Sequence, residues 1–151
     1  MKNKLVYLFP LSILLILAFG CVKKASDPGT DTSTYPYPLG TYSGKFTRIH
    51  RNEATSKYDT ASCNIQLVLS TVTGFAVTGD TAIVHAGSYG QFSENATNIA
   101  FNDVTYPLTG FPTKTHLAGV YMYFTAGLNF QISGTDGDSL SYNYNLTKLS
   151  N

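Results

Sequence analysis

Apolar and polar residues alternate with a period of two over most of the chain from residue 39 onward, and this pattern constrains the fold more than any other feature. Leu128, Phe130 and Ile132 alternate with polar neighbours, as do the apolar residues of segment 140–147. Such alternation is typical of β-strands with one buried face. No segment shows a convincing 3.6-residue period. The sequence therefore predicts an all-β domain.

Gly, Asn and Pro residues divide the alternating region into about nine predicted strands. These are segments 42–51, 63–69, 75–78, 81–85, 88–92, 98–102, 117–124, 128–133 and 140–147. The connections between them are too short for parallel crossovers, which need a dozen or more residues. The strands are therefore predicted to form an antiparallel meander.

Residues 39–151 are predicted to form a single domain, because a chain of this size buries enough surface to fold alone. Sheet edges are best protected when a sheet closes into a small barrel or when two sheets pack together. We favour the barrel, and an immunoglobulin-like β-sandwich is the alternative. The chain has no Trp and no pair of cysteines inside this domain, which disfavours the sandwich.

The first twenty residues have the pattern of a secretory leader. Lys2 and Lys4 precede an uncharged, mostly apolar run over residues 5–20. A run of that length is too short to span a bilayer comfortably, where about 20 apolar residues are needed. Residues 1–20 are therefore interpreted as a signal peptide, and the polar residues from Cys21 to Pro38 as a flexible tether.

The segment Leu17-Ala18-Phe19-Gly20-Cys21 resembles the lipobox of bacterial lipoproteins, in which cleavage before the Cys leaves that residue lipidated. The resemblance implies a lipid anchor on Cys21. Several acyl chains on one residue give stable attachment to a membrane.

Several short stretches of the domain are similar to small lipocalin-like lipoproteins of the Bacteroidota. They are Leu39-Gly40-Thr41-Tyr42-Ser43-Gly44-Lys45-Phe46, Gly87-Ser88-Tyr89, Asn98-Ile99-Ala100-Phe101-Asn102-Asp103, Leu117-Ala118-Gly119-Val120-Tyr121 and Tyr144-Asn145-Leu146-Thr147-Lys148. The resemblance implies a lipocalin-like barrel and a membrane anchor, and it implies neither a reaction nor a ligand. Val22, Lys23 and Lys24 follow Cys21 where surface-exported lipoproteins of this group carry acidic residues. We therefore expect the protein at the outer membrane, on its periplasmic face rather than at the cell surface.

Three Asp-Thr/Ser-apolar triplets resemble the O-glycosylation motif of exported Bacteroidota proteins. The candidate acceptors are Thr60, Thr81 and Ser139, each at a predicted turn or strand start. Asp beside Ser or Thr is also common in ordinary turns, so both interpretations stay open.

Composition and motifs argue against several function classes. The formal charge is +1 without a basic stripe, so nucleic acid is not an expected partner. His50, His85 and His116 are more than thirty residues apart and are interpreted as surface histidines rather than metal ligands. No cofactor motif or acid, base and nucleophile constellation is visible, so we expect neither a cofactor nor an enzyme. Cys63 shares a face with Ile65 and is expected to be a buried, inert thiol.

Two features suggest a ligand site. The first strand begins with core residues on one face but continues that face with Arg48 and His50. A bulge that reverses the register, a strand end in solvent, or a lined barrel mouth each explains this. Tyrosines also crowd the last strands, and such amphipathic rings line cavities as well as cores. The candidate ligand residues are Arg48, Tyr121, Tyr123, Tyr142 and Tyr144.

The expected function is that of a membrane-anchored barrel that binds a small apolar ligand or an envelope partner protein. The alternative is a structural or accessory subunit of an outer-membrane complex without a ligand. Segment 117–124 supports this alternative because it is apolar on both faces, with Val120, Met122 and Phe124 opposite Tyr121 and Tyr123.

Overall fold

The computed structural model describes residues 38–110 and 112–149, and within those ranges it contains eight β-strands and no helix. The strands are β1 (Gly40–Arg51), β2 (Tyr58–Ser70), β3 (Gly74–Gly79), β4 (Tyr89–Glu94), β5 (Asn98–Asp103), β6 (Gly119–Ala126), β7 (Asn129–Asp136) and β8 (Leu140–Lys148). Each strand pairs antiparallel with the next, and β8 pairs with β1 to close a barrel. The predicted all-β meander and barrel are confirmed over the sandwich.

Eight of the predicted strands match observed ones, and the prediction of a strand at 81–85 was wrong. The chain leaves the barrel wall after Gly79, whose φ of +98° is in the left-handed region that favours glycine. The following residues form turns, and only His85 makes a bridge, a parallel one to Thr115. Short apolar runs do not distinguish a strand from a packed loop, which explains the error.

The two ends of the barrel differ. At one end, called here the packed end, the described chain begins at Pro38 and short turns join β2 to β3, β4 to β5 and β6 to β7. At the other, the open end, longer segments 80–88 and 104–118 connect β3 to β4 and β5 to β6. Long connections at one end of a rigid barrel are where binding sites are usually built.

Inward-facing residues fill the barrel from the packed end to about its middle. The buried apolar core is Tyr42, Phe46, Cys63, Ile65, Leu67, Leu69, Phe75, Val77, Ile99, Phe101, Leu117, Tyr121, Phe130, Ile132, Tyr144 and Leu146. Aromatic pairs recur in it, such as Phe46 and Tyr144 with ring centroids 4.7 Å apart. The buried position predicted for Cys63 is confirmed, and burial raises the pKa of its thiol. An eight-stranded barrel is just wide enough for side chains to fill it in this way.

The predicted leader, Cys21 and nearly all of the tether lie outside the described residues. In residues 38–110 and 112–149, no helix has the length and hydrophobicity that crossing a bilayer requires.

Candidate functional site

A cavity of about 630 Å³ lies at the open end of the barrel. Strands β1, β2, β6, β7 and β8 form its wall, and residues of segment 104–118 line it from above. The lining residues are Arg48, His50, Asp59, Tyr106, Pro112, Lys114, Thr115, His116, Ala118, Gly119, Val120, Tyr121, Gly134, Thr135, Asp136, Leu140 and Tyr142. The volume is within the range of about 300–1,000 Å³ that is usual for small-molecule sites.

Strand β1 supplies Arg48 and His50 to the cavity without any bulge. Its register with β2 runs unbroken from Gly40 to Arg51, so the face that carries Phe46 in the core continues directly to Arg48. His50 is exposed, while Arg48 is half-buried. A lined barrel mouth therefore explains the mixed face of this strand.

Tyr142 lies beside Arg48 on the neighbouring strand β8, since the two residues pair across the β1–β8 ladder. Its side chain is half-buried. Burial and the carboxylate of Asp136 raise the pKa of the Tyr142 hydroxyl, and the positive charge of Arg48 opposes them. The Tyr142 hydroxyl is therefore neutral at physiological pH and is able to donate a hydrogen bond.

Tyr121 fits against Gly134 at the base of the cavity. A Cβ atom placed on Gly134 would lie 2.5 Å from Cδ1 of the Tyr121 ring. The missing side chain of Gly134 thus leaves room for the ring and keeps this part of the cavity open. Burial raises the pKa of Tyr121 far above its usual value, so this hydroxyl also stays protonated.

The five candidate ligand residues predicted from the sequence do not all meet. Arg48, Tyr121 and Tyr142 line the cavity. Tyr144 is fully buried beneath it, and Tyr123 lies toward the packed end, where its hydroxyl donates to the Asn95 carbonyl at 2.8 Å. The alternation of β6 and β8 places all four tyrosines on inward faces, but only two reach the open end.

Segments 80–88 and 104–118 are joined to each other above the core, and together they are called here the roof. Ala86 N–H donates to Thr115 O at 2.8 Å, and Thr115 N–H donates to Val84 O at 2.9 Å. The Lys114 ammonium donates to Thr81 O at 2.9 Å, and Leu117 N–H donates to the Ser88 hydroxyl at 3.1 Å. These bonds hold two long connections in one arrangement.

His85 is the buried centre of the roof, so its interpretation as a surface histidine was wrong. Its imidazole has no exposed surface and packs edge-on against Phe46, with ring centroids 4.8 Å apart. Burial lowers the pKa of His85 to about 4, which keeps the ring neutral. Nδ1–H then donates to the Ala86 carbonyl, and Nε2 accepts from the Tyr144 hydroxyl at 3.0 Å.

A hydrogen bond between Asp103 and His116 holds the roof to β5. His116 Nδ1 lies 2.8 Å from Asp103 Oδ2, and Thr105 donates its hydroxyl and its N–H to Asp103 Oδ1 at 2.6 and 2.8 Å. Burial raises the pKa of Asp103, but the hydrogen bonds from Thr105, His116 and Ser88 outweigh it and lower the pKa below its usual value. Asp103 is therefore ionised.

The ionised carboxylate fixes the orientation of His116. Because an ionised carboxylate only accepts, Nδ1 of His116 carries the hydrogen that it donates to Asp103, and this bond sets the position of a ring that lines the cavity. His50 also lines the cavity, while His85 does not, so the three histidines do not converge. In the described part of the chain, no group of three or more His, Cys, Asp or Glu is arranged to hold a metal ion.

Charges of both signs line the cavity. Arg48 and Lys114 supply two positive charges, and Asp59 and Asp136 supply two negative ones. Strand pairing sets Asp59 directly opposite His50. Charged, hydroxyl and imidazole groups thus outnumber aliphatic ones, and the site is equipped to hydrogen-bond a ligand from several directions.

The three glycosylation-like residues lie toward the open end. Thr60 is exposed on β2, whereas Thr81 and Ser139 are half-buried in turns. Modification of these residues stays a prediction.

Sequence reasoning missed the residues that the roof contributes, namely Tyr106, Lys114 and His116. They lie on a connection that shows no period, so no pattern marked them. Its length was the available signal, because a fifteen-residue connection between neighbouring antiparallel strands is far longer than a hairpin needs.

The outer face of β6 carries an apolar stripe of Val120, Met122 and Phe124, which are 69%, 65% and 62% exposed. Their partners across the β5–β6 and β6–β7 ladders include Asn98, Ala100, Gln131 and Ser133. The stripe is therefore flanked mostly by uncharged polar residues.

No family model, no curated protein and no solved structure matches this chain.

Proposed function

We propose that this protein is a non-enzymatic, lipid-anchored protein of the bacterial outer membrane that binds a small ligand at the open end of its barrel. The observation that carries the proposal is the cavity of about 630 Å³, with Arg48, Tyr121 and Tyr142 on its wall. Pockets of this size with a few converging polar groups are the usual form of a small-molecule site.

The anchor is supported by the sequence, through the apolar run before Cys21 and the lipobox-like residues around it. Val22, Lys23 and Lys24 favour the periplasmic face. The first described residue, Pro38, is at the packed end, so the tether joins the barrel at the end opposite the cavity.

Native mass measurement of the full chain, produced in a bacterium that processes lipoproteins, tests ligand binding. We expect a mass surplus that disappears when the protein is denatured. Ala118→Trp introduces a large side chain at the cavity and is expected to abolish the surplus. Ala126→Trp makes the same change at an exposed position outside the cavity and serves as the control. Equal surplus in both variants, or none in the unmodified protein, would contradict binding in the cavity.

A second candidate function, an accessory subunit of an envelope protein complex, is favoured by the apolar stripe on β6. An exposed row of large apolar side chains on an otherwise polar sheet face is typical of protein interfaces. Met122→Glu should reduce the size of any complex seen after cross-linking in the envelope. Gln91→Glu, on the exposed outer face of β4, is the matched control. An unchanged complex in the Met122 variant would remove this candidate.

A further inference from the structure

We infer that the ligand of the cavity is a neutral, polyhydroxylated molecule of the saccharide class rather than an apolar one. This inference rests on the proposed function, because it assumes that the cavity binds a ligand at all. It is drawn from four properties of the lining: its hydrogen-bonding groups, its charge balance, its aromatic faces and its shape.

The lining offers donors and acceptors on different sides. Arg48 and Tyr142 donate from the strand wall, while Asp136 accepts from β7. His116 adds an imidazole from the roof, held in place by Asp103 at 2.8 Å. A hydroxyl group donates and accepts at once, so a molecule with hydroxyls around a ring satisfies groups of both kinds. An alkyl chain would leave these desolvated groups without partners, at a cost of about 1–3 kcal/mol each.

The charges of the lining balance. Arg48 and Lys114 are matched by Asp59 and Asp136, so the cavity favours neither an anion nor a cation strongly. Charged side chains also make stronger hydrogen bonds to a neutral partner than uncharged ones do. A neutral polar ligand therefore gains hydrogen bonds from all four residues, whereas a carboxylate gains from Arg48 and Lys114 but loses that gain to repulsion by the two aspartates.

Two tyrosines provide ring surfaces in the same cavity. Tyr106 on the roof is 45% exposed, Tyr142 on β8 is half-buried, and both line the cavity. Aromatic faces carry partial negative charge. The C–H groups on one side of a sugar ring carry partial positive charge and pack well on such a face.

The shape of the barrel interior excludes a long chain along its axis. Phe46 and Tyr144 are fully buried one inward position below Arg48 and Tyr142. The rings of Phe46 and Tyr142 stack with centroids 6.5 Å apart. The core therefore closes the floor of the cavity, whose volume of about 630 Å³ has room for one or two sugar rings.

Calorimetric titration of the full chain tests the inference, in a polyoxyethylene detergent that carries no sugar. The probes are neutral mono- and disaccharides, with hexanoic and octanoic acid as apolar probes. All heats are compared with those of Ala118→Trp. We expect a saccharide to bind and the acids not to bind. A tri- or tetrasaccharide that binds more tightly than its monomer would assign the natural ligand to a polymer rather than to a free sugar.

Two variants link binding to the proposed contacts. Asp136→Asn and Tyr142→Phe each remove one polar function with little change in volume, and each is expected to weaken saccharide binding about tenfold, equal to about 1.4 kcal/mol. Asp138→Asn, in the exposed turn after β7, and Tyr89→Phe, on the outer face of β4, are the matched controls and should bind as the unmodified protein does.

The outcomes separate this inference from the proposed function. Binding of the acids, lost in Ala118→Trp, together with no saccharide binding would overturn the saccharide inference and retain a ligand-binding barrel. No binding of either class, and no mass surplus, would overturn both. Saccharide binding that Asp136→Asn and Tyr142→Phe leave unchanged would also overturn the inference, because the contacts that carry it would be wrong.

Discussion

The imidazole Nε2 of His85 lies 3.0 Å from the hydroxyl of Tyr144, and neither side chain has exposed surface. His85 comes from a connection between strands, whereas Tyr144 belongs to β8 on the opposite side of the barrel. The bond therefore ties the roof to the barrel wall. It requires a neutral imidazole, because a protonated Nε2 has no lone pair with which to accept the Tyr144 proton.

This bond predicts that stability depends on pH between about 4 and 6.5. His85 has a pKa of about 4 when folded and an ordinary value near 6.5 when unfolded, so the unfolded chain binds more protons in that window. The free energy of unfolding should fall by about 3 kcal/mol as pH drops from 6.5 to 4, and the contribution of this residue should level off below pH 4. Urea denaturation at a series of pH values measures it.

The variant His85→Phe isolates the contribution of this residue. It keeps a ring beside Phe46 but removes the titrating group, so the pH dependence between 4 and 6.5 should largely disappear. At pH 7 the variant should be less stable by about 1–3 kcal/mol, because the Tyr144 hydroxyl loses its acceptor. His50→Phe, at the exposed histidine, should keep the slope. A slope that persists in His85→Phe would show that other groups cause it.

The close fit between Tyr121 and Gly134 predicts a cost for one added methyl group. Gly134→Ala should lower the free energy of unfolding by about 1–3 kcal/mol, because the new Cβ displaces the Tyr121 ring. Adding Tyr121→Ala should reduce the effect of the Gly134 change, and a double-mutant cycle measures the coupling. Gly87→Ala is the control, since the nearest atom to its Cβ would be 3.6 Å away. Independent effects at the two positions would contradict the proposed clash.

The alternation of residues predicted the barrel wall well because a strand with one buried face must alternate. In β7 and β8 every second side chain points inward, and Phe130, Ile132, Tyr144 and Leu146 are buried. The prediction was wrong for Leu128, which lies in the turn before β7 and is 62% exposed. The same logic placed Arg48, Tyr121 and Tyr142 on inward faces. It did not distinguish Tyr142 at the cavity from Tyr144 in the core, because the two-residue alternation is the same at every depth along the barrel axis.

The fold of the roof could not be predicted from the sequence, because its contacts are long-range. His85 and Thr115 are thirty residues apart and meet only through an isolated bridge, which no local pattern encodes. Similarly, the sequence shows nothing that pairs Asp103 with His116, since their contact depends on how segment 104–118 folds back. The part of the cavity lining that the roof supplies, including Tyr106, Lys114 and His116, therefore depends on long-range contacts between irregular segments.

The Asp103 carboxylate predicts a second pH-dependent contribution to stability. The folded protein keeps Asp103 in its charged form, whereas it keeps His85 in its neutral form. Its pKa is lowered when folded, so it stabilises the protein above the unfolded value of about 3.8, and this contribution is lost as pH falls through the folded value. Asp103→Asn removes one acceptor from Thr105 and His116 and should destabilise the protein by about 1–3 kcal/mol at pH 7, with a smaller difference at pH 3.

Thermal unfolding at both pH values measures this difference. Asp80→Asn, at an exposed aspartate, is the matched control and should have little effect at either pH. Equal loss of stability at pH 7 and pH 3 in Asp103→Asn would mean that the residue acts through packing rather than through its charge.

The predicted lipid anchor is tested by comparing the two cysteines of the chain. Cys21→Ser should abolish incorporation of labelled palmitate and the corresponding mass increase, because the acyl chains attach to this thiol. Cys63→Ser should retain both, since Cys63 is buried in the barrel and is not available for acylation.

Two or more chains, at about 0.8 kcal/mol per buried CH₂ group, hold a protein firmly at a membrane, whereas one chain does so only marginally. The Cys21 variant should therefore leave the membrane fraction once its leader has been removed. Membrane retention of a leader-free Cys21→Ser protein would show that another part of the chain binds the membrane, and the barrel surface would then have to be searched for it.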